Sequence, residues 1–237
     1  LWAPRFIATT DAAVRSAAVE TGVCRGIEHV LEEATRVVQQ RGLDAGSYLK
    51  LLAMLGKADQ HEMVYTALRI PQLQLSALWA LGHIGTVRAA ESCLAGMQHE
   101  KLARASGEAY CWMTGADLVR DGLEKKEPPP EVPPFEEDDL NANLVPPPEA
   151  LWPLPDPEAA RQHWLSRRAG FAADVRHVHG RPVTPETLAA MVETGPMLRR
   201  PDLILELRAR TRGRYDVEPR AFAARQRQMM AAGRAAL

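Results

Sequence analysis

The chain has 237 residues, of which 46% are hydrophobic and only 5% aromatic, and its formal net charge is −1. This length allows one large or two small domains, and the hydrophobic fraction is ordinary for a protein that buries a core. No apolar run approaches the roughly 18 residues that a membrane-spanning helix needs, which excludes a membrane partner and predicts a cytoplasmic protein. The chain opens at Leu1 without an initiator methionine, so its lack of a secretion leader carries little weight.

The three cysteines, Cys24, Cys93 and Cys111, lie far apart. An odd number at wide spacing does not form a disulfide framework, and no Cys-x-x-Cys pair offers the close ligands of a zinc site. We therefore expect three small buried hydrophobic side chains in a reducing compartment.

Four glycines recur at nearly regular intervals in the first half of the chain. Gly26, Gly56, Gly85 and Gly115 are separated by 30, 29 and 30 residues, and each follows an apolar helical run. Glycine ends a helix readily because it adopts a left-handed backbone angle without the steric cost of a β-carbon. The period predicts repeats of a helix, a glycine and an antiparallel second helix, which stack because one pair cannot bury its apolar stripe alone.

The second helix of two repeats carries the expected apolar stripe. Spacings of three and four residues place the stripe on one helical face, with charged residues on the other. In the first repeat the stripe consists of Ile27, Val30, Leu31, Ala34, Val37 and Val38. In the third repeat it consists of Val87, Ala90, Cys93, Leu94 and Met97.

Two segments of these repeats resemble a known repeat type. The stretch SALWALGHIG, from Ser76 to Gly85, is similar to the AAxALGxIG helix of HEAT-like repeats of the phycobilin-lyase type. Residues Asp11 to Ala18 resemble the start of the same helix in the first repeat. The resemblance covers roughly residues 11–120 and implies a HEAT/armadillo-like α-α superhelix of stacked helix pairs over residues 1–123.

The whole chain also resembles an uncharacterised family of bacterial HEAT-like proteins. That family follows its repeats with a Pro-rich break and a helical tail. The matching tail motifs are Gly180-Arg181-Pro182, Arg199-Arg200-Pro201 and Arg225-Gln226. Some members of that family are encoded near type VI secretion genes, so this resemblance implies a bacterial protein and favours an association with such a system.

Residues 124–157 are predicted to form an acidic Pro-rich linker. They contain eleven of the eighteen prolines, and proline disfavours helix and holds its neighbours extended. The composition predicts a linker of polyproline-II character, with a ligand for an SH3-like domain as the alternative.

Residues 158–237 are predicted to form a small all-α bundle. The four expected helices run from Glu158 to Ala169, from Thr184, from Pro201 to Thr211 before Gly213, and from about Pro219. Thr184 followed by Pro185 is a typical helix start, with a hydroxyl cap and proline at the first helical position. The side chains predicted to point inward are Trp164, Leu165, Leu188, Met191, Val192, Leu203, Ile204, Leu207, Phe222, Met229 and Met230.

The charge is divided along the chain. Residues 1–123 hold 12 basic and 13 acidic side chains, residues 124–157 hold 2 and 9, and residues 158–237 hold 15 and 8. All 15 basic residues of the last region are arginines, whose planar donors suit carboxylates. The sequence leaves three alternatives for the Arg-rich face. It is solvated without a partner, it contacts the acidic linker around Glu136–Asp139, or it binds an acidic protein. Nucleic acid is disfavoured because few aromatic residues interleave with the arginines.

Two histidine motifs are candidates for metal binding. Some HEAT-like proteins are iron hydroxylases with His-Glu dipeptides at matched repeat positions. Here His61-Glu62 and His99-Glu100 are 38 residues apart and fall out of register, so we do not expect them to share a metal. His177-Val178-His179 lacks an evident third ligand, and we expect loop histidines with local hydrogen bonds. No metal site and no cofactor is predicted.

No catalytic motif was found, so we predict a non-catalytic scaffold or adaptor that binds a protein partner. Trp79 and Trp112 lie near equivalent repeat positions and either line a binding surface or pack in the core. With them, the candidate partner-binding residues are Arg199, Arg200, Arg208 and Arg212. The alternative function is an enzyme or ligand carrier of HEAT-like type with a site on the concave face of the repeats.

Overall fold

The structure is a computed structural model that describes residues 7, 9, 11–27, 29–40, 45–126, 145, 147–235 and 237. It confirms the predicted all-α class. The helices are α1 (Ala12–Cys24), α2 (Val30–Gln39), α3 (Ala45–Leu55), α4 (Ala58–Ala67), α5 (Gln74–Ile84), α6 (Val87–Gly96), α7 (Glu100–Thr114), α8 (Pro157–Arg167), α9 (Pro185–Thr194), α10 (Arg200–Arg210) and α11 (Ala223–Arg234). Two short strands, β1 (His177–Val178) and β2 (Arg181–Pro182), pair antiparallel with His177 opposite Pro182.

The first seven helices pack in chain order as three successive pairs and a final single helix. Helices α3, α5 and α7 lie side by side, and α2, α4 and α6 pack against them. The centre of the core is α3, whose Tyr48, Leu49 and Leu52 are fully buried. The arrangement follows from the apolar stripes of single helices, each of which needs a neighbour to cover it.

The repeat glycines follow the first helix of each pair, as the period predicts. Gly26, Gly85 and Gly115 have φ angles of 64°, 60° and 74°, in the left-handed region that favours glycine. Gly56 also follows its helix directly, but it does not adopt a positive φ. The prediction of a glycine stop is therefore confirmed with a left-handed angle at three of the four positions.

The expected second helix after Gly115 is not formed. Residues 118–122 make consecutive turns instead. The Asp117 carboxylate accepts hydrogen bonds from the backbone N–H groups of Val119 and Arg120, at 3.1 and 2.8 Å, and thereby stabilises a turn rather than a helix. The chain then runs back past residues 154–156, where the N–H of Lys125 donates to the Leu154 carbonyl at 2.8 Å.

The described part of the predicted linker lies on the repeats. Trp152 stacks on Trp79 with ring centroids 6.4 Å apart, and Arg104 donates to the Trp152 carbonyl oxygen. The Asp156 side chain then caps α8 by accepting from the N–H groups of Glu158 and Ala159. The predicted contact of Glu136–Asp139 with the arginines lies outside the described residues.

The C-terminal helices form a second apolar cluster that continues into the repeats. As predicted, Leu188, Met191, Val192, Leu203, Ile204, Leu207 and Met230 are buried in α9 to α11. Trp112 of α7 belongs to the same cluster, and Trp164 of α8 packs in the core of the repeats. The two regions are thus joined by shared core residues.

Three side chains predicted to be buried are exposed. Leu165 is 56% exposed because Ala160 and Trp164 define the buried face of α8, and the next residue points about 100° away. Phe222 is 91% exposed because α11 begins only at Ala223, so Phe222 lies before the helical face starts. Ile27 is 39% exposed for the same reason, since α2 begins at Val30.

Candidate functional site

The C-terminal region runs along the edge where the repeat glycines lie. The N–H of His177 donates to the Gly85 carbonyl at 2.8 Å, and the N–H of His179 donates to the Trp112 carbonyl at 2.8 Å. A β-carbon on Gly85 would overlap the carbonyl oxygen of His177, and one on Gly115 would lie 2.9 Å from His179 backbone atoms. These two glycines therefore allow the β1–β2 hairpin to approach the helix ends, in addition to ending α5 and α7.

Arg176 and Arg210 bind the carboxyl ends of α3 and α5. Arg176 donates to the carbonyls of Met54 and His83, both at 2.9 Å, and Arg210 donates to Met54 at 3.3 Å. Both arginines also pair with the buried Glu206, with shortest distances of 2.7 Å. The last carbonyls of a helix lack partners within the helix and carry partial negative charge, so guanidinium groups stabilise them.

Glu206 is fully buried and stays ionised. Burial alone raises the pKa of Glu206, but the charges and hydrogen bonds of Arg176 and Arg210 outweigh it and hold that pKa below its ordinary value. A buried carboxylate is tolerated when it is paired and hydrogen-bonded in this way.

Asp202 accepts three hydrogen bonds from the repeats. Its carboxylate is 2.9 Å from Lys50 Nζ, 2.7 Å from Trp79 Nε1 and 3.3 Å from His83 Nε2. Burial raises the pKa of Asp202, but the His83 hydrogen bond and the Lys50 charge outweigh it and lower that pKa. Burial lowers the pKa of His83, so this imidazole is neutral and donates its Nε2–H to the carboxylate.

Arg199 is fully buried between the two tryptophans that the sequence singled out. Its Cζ lies 3.4 Å from the ring centroid of Trp79 and 5.5 Å from that of Trp112. It makes two bonds to the Glu108 carboxylate, at 2.9 and 2.5 Å, and one to the Trp79 carbonyl at 2.8 Å. Gly82 makes room for it, since a β-carbon there would lie 2.8 Å from Arg199 Nη2.

The structure thus brings three of the six predicted partner-binding residues together inside the chain. Trp79, Trp112 and Arg199 form one contact between the repeats and the tail. Arg199 is fully buried there, so it is not accessible to a partner. The other three residues lie apart from it. Arg208 pairs with Asp216 at 2.6 Å, whereas Arg200 and Arg212 have no carboxylate within 4.0 Å among the described residues.

The arginines of residues 158–237 fall into two groups. Seven pair with carboxylates of the described residues, namely Arg161, Arg168, Arg176, Arg199, Arg208, Arg210 and Arg234. Eight have no such partner in the described part of the chain, namely Arg167, Arg181, Arg200, Arg212, Arg214, Arg220, Arg225 and Arg227. The surplus positive charge of the tail therefore lies in the second group.

An apolar cleft lies where the second helix of the fourth repeat is missing. Its volume is about 420 Å³, and Trp112, Trp152 and His179 line it. Val119 and Leu198 on its rim are 56% and 54% exposed. The cleft follows from the turn after Gly115, which leaves this side of α7 without a packed helix.

The remaining candidates do not assemble into a reactive site. His61 lies on α4 and His99 precedes α7, and within the described ranges no group of three or more His, Cys, Asp or Glu side chains is placed to hold a metal ion. All three cysteines are free thiols, and burial raises their pKa, that of Cys111 to about 12. Such thiols are poor nucleophiles at neutral pH.

Comparison with protein-family models, with curated proteins and with solved structures finds no match. Across the part of the chain that the structure covers, none of the helices combines the length and apolar character that crossing a membrane requires.

The sequence analysis did not identify five residues that form the contact between the repeats and the tail. They are Lys50, Glu108, Arg176, Asp202 and Glu206. A signal for two of them was present, because Asp202 and Glu206 are four residues apart and flank Leu203 on the apolar side of α10. Carboxylates at that spacing on a buried helical face indicate buried ion pairs. The others carry no local signal, since their partners lie between 30 and 152 residues away.

Proposed function

We propose that this protein is a non-catalytic scaffold that binds an acidic protein partner through the C-terminal arginines that have no carboxylate partner among the described residues. The observation that carries the proposal is the division of the arginines. Seven have carboxylate partners, whereas eight find none among the described residues. Surplus charge of one sign attracts partners of the opposite sign and speeds their association.

The stacked helix pairs support the finer proposal of a HEAT-like superhelix. In such folds an extended side surface serves binding rather than chemistry. Here the tail covers the edge of the stack at Gly85 and Gly115, and its other side carries arginines such as Arg214 and Arg225 toward solvent. Three free, unreactive thiols support the proposal of a reducing, cytoplasmic compartment.

The test is affinity capture from the native host, followed by reconstitution of the binding with the purified prey. The variant R214Q/R225Q/R227Q removes three arginines without a carboxylate partner among the described residues. The variant R36Q/R88Q/R120Q removes three exposed arginines that are paired in the repeats. We expect an acidic prey to bind the wild-type chain and the paired-arginine control alike. We expect it to bind the first variant about tenfold more weakly, because rim charges contribute modestly one by one.

Equal loss in both variants would show general charge attraction and would contradict the proposal. So would a prey without net negative charge, or turnover of a small molecule by the purified chain.

The apolar cleft favours a second candidate function, that of a ligand carrier. A volume of about 420 Å³ lies in the range of small-molecule sites, and aromatic walls such as Trp112 and Trp152 are typical of them. Native mass spectrometry and absorption spectra of protein purified from its host test this candidate. A stoichiometric bound compound that is lost in Leu198→Arg would support it, and bare protein in both measurements would rule against it.

A further inference from the structure

A cleft between α9, α10 and α11 carries more positive charge than its own acid can offset. Its volume is about 580 Å³. It is lined by Glu193, Arg200, Ala223, Gln226, Arg227, Met230, Ala231 and Arg234. Glu193 is the single carboxylate of the lining, and it accepts two hydrogen bonds from Arg234 at 2.8 and 2.7 Å. Arg200 and Arg227 are left without a counter-ion in this part of the structure.

Arg200 is the unusual member of this cleft. Its guanidinium is partly withdrawn from water, yet among the described residues its one hydrogen bond runs from Nη1 to the Gln226 carbonyl oxygen at 3.1 Å, and its buried Nε finds no acceptor there. The preceding residue, Arg199, makes three bonds, two of them to a carboxylate. Removing a cation from water without an anion beside it is costly, so a missing partner is the simplest reason for the arrangement of Arg200.

Gln226 is held in place to face Arg200. Its Nε2 donates to the carbonyls of Pro219 and Ala221, at 2.7 and 2.8 Å, which fixes the direction of its carbonyl oxygen. The Arg200 side chain is therefore positioned by the fold rather than loosely solvated. A positioned guanidinium loses less freedom when it binds a planar anion.

Tyr215 packs against α11 and also lacks a hydrogen-bond partner among the described residues. Its ring is fully buried against Gly233, and its hydroxyl has no hydrogen bond. Burial raises the pKa of Tyr215 to about 12, and the charges of Glu193, Arg200 and Arg234 also act on it. The phenol therefore remains protonated and is a buried donor against the helix that forms one wall of the cleft.

From this geometry we infer that the cleft binds an oxyanion, the carboxylate or phosphate group of a ligand, between Arg200 and Arg227. A guanidinium fork matches either group by two parallel hydrogen bonds. The wall of Ala223, Met230 and Ala231 suits a small apolar body attached to the anion. The inference deepens the proposed function by naming where an acidic group binds.

The test uses inorganic phosphate and sodium butyrate as probes, each against sodium chloride of equal ionic strength. Binding is measured by calorimetry and by the ¹⁵N-resolved Nε–H signal of Arg200, which is assigned by its loss in R200K. We expect saturable binding of at least one probe, with a shift of the Arg200 signal. The probe that binds more tightly identifies the class of oxyanion.

Two variants on one helix give a matched comparison. Arg225 and Arg227 are both exposed on α11 and have no ion-pair partner among the described residues, but only Arg227 lines the cleft. We expect R227Q to weaken binding about fivefold and R225Q to leave it unchanged, since an exposed charge contributes up to about that factor. We expect R200K, which keeps the charge and loses the fork, to abolish the saturable component.

Absence of saturable binding of both probes, or equal weakening in R225Q and R227Q, would overturn the inference. If the probes bind as expected and no acidic prey is captured, the oxyanion site stands and the proposed function fails. If an acidic prey is captured as expected but neither probe binds saturably, the proposed function stands and this site fails.

Discussion

Arg199 and Arg200 are neighbours in the chain and belong to two different surfaces. Arg199 faces the repeats, where Glu108 and Trp79 surround it and no exposed surface remains. Arg200 faces the other helices of the tail and finds a glutamine instead of an acid. The comparison shows that the positive charge of the tail is divided, since its repeat-facing part is paired with carboxylates and its outward part has no carboxylate partner among the described residues.

Among changes to the repeat-facing surface, we expect Glu206→Ala to lower the free energy of unfolding most. The change leaves Arg176 and Arg210 beside buried carbonyls without their carboxylate, and breaking a buried pair by removing one partner costs about 3–5 kcal/mol. Urea unfolding measures the loss. Glu193→Ala, which breaks an outward pair with Arg234, is the control and should cost less than about 1 kcal/mol. Similar costs for both would show that the two surfaces do not differ.

The second change tests the close approach of the hairpin to the repeats. Gly85→Ala adds a β-carbon that overlaps the His177 carbonyl and also strains a left-handed residue. Gly122→Ala strains a left-handed residue of φ 67° with nothing within 4 Å, so it isolates the backbone cost, about 1 kcal/mol. We expect Gly85→Ala to lower the free energy of unfolding by at least about 1 kcal/mol more than this control. Equal losses in thermal unfolding would place the hairpin away from Gly85.

The third prediction concerns pH. The folded pKa of Glu206 and of Asp202 lies below the ordinary values of 4.5 and 3.8, so their stabilisation is complete above those values and is lost as the pH falls through the lowered pKa. The folded pKa of His83 lies below 6.5, so the unfolded chain takes up that proton first and stability already falls below pH 6.5.

Each such group contributes a slope of up to about 1.4 kcal/mol per pH unit. Urea unfolding between pH 7 and 4 measures the slope, and His83→Gln should flatten it between pH 6.5 and 5. An unchanged slope in this variant would mean that His83 does not titrate differently in the folded chain.

The smallest effect is expected on the outward surface. Arg214→Gln and Arg225→Gln remove exposed arginines without ion-pair partners among the described residues, so the free energy of unfolding should change by less than about 0.5 kcal/mol. Urea midpoints check this. A loss above 1 kcal/mol in either variant would indicate that the outward arginines also stabilise the fold.

Local features of this structure could be read from the sequence. The glycine period marked the ends of α1, α3, α5 and α7, and the hydroxyl of Thr184 caps α9 as its position before Pro185 indicates. These features depend on a few consecutive residues, whose backbone preferences act in every context.

The contacts between the repeats and the tail could not be predicted from the sequence in the same way. Charge counts showed that the tail is basic, but nothing near Arg199 or Arg176 in the sequence identifies Glu108 or Met54 as partners. The prediction of which side chains are buried was also wrong where the start of a helix was misplaced, as at Phe222. A residue before the helix does not belong to its buried face. Long-range pairing and exact boundaries depend on the whole fold rather than on short patterns.

The contacts of Arg176 and Asp202 have a consequence for how this array unfolds. In an ordinary solenoid each unit touches only its neighbours, so the ends fray and folding can spread from any point. Here one tail segment ties α3 to α5, with Lys50 and Asp202 152 residues apart in the chain. Such closure over a long stretch raises the contact order, which slows folding. Separation of α3 from α5 would also break these contacts with the tail.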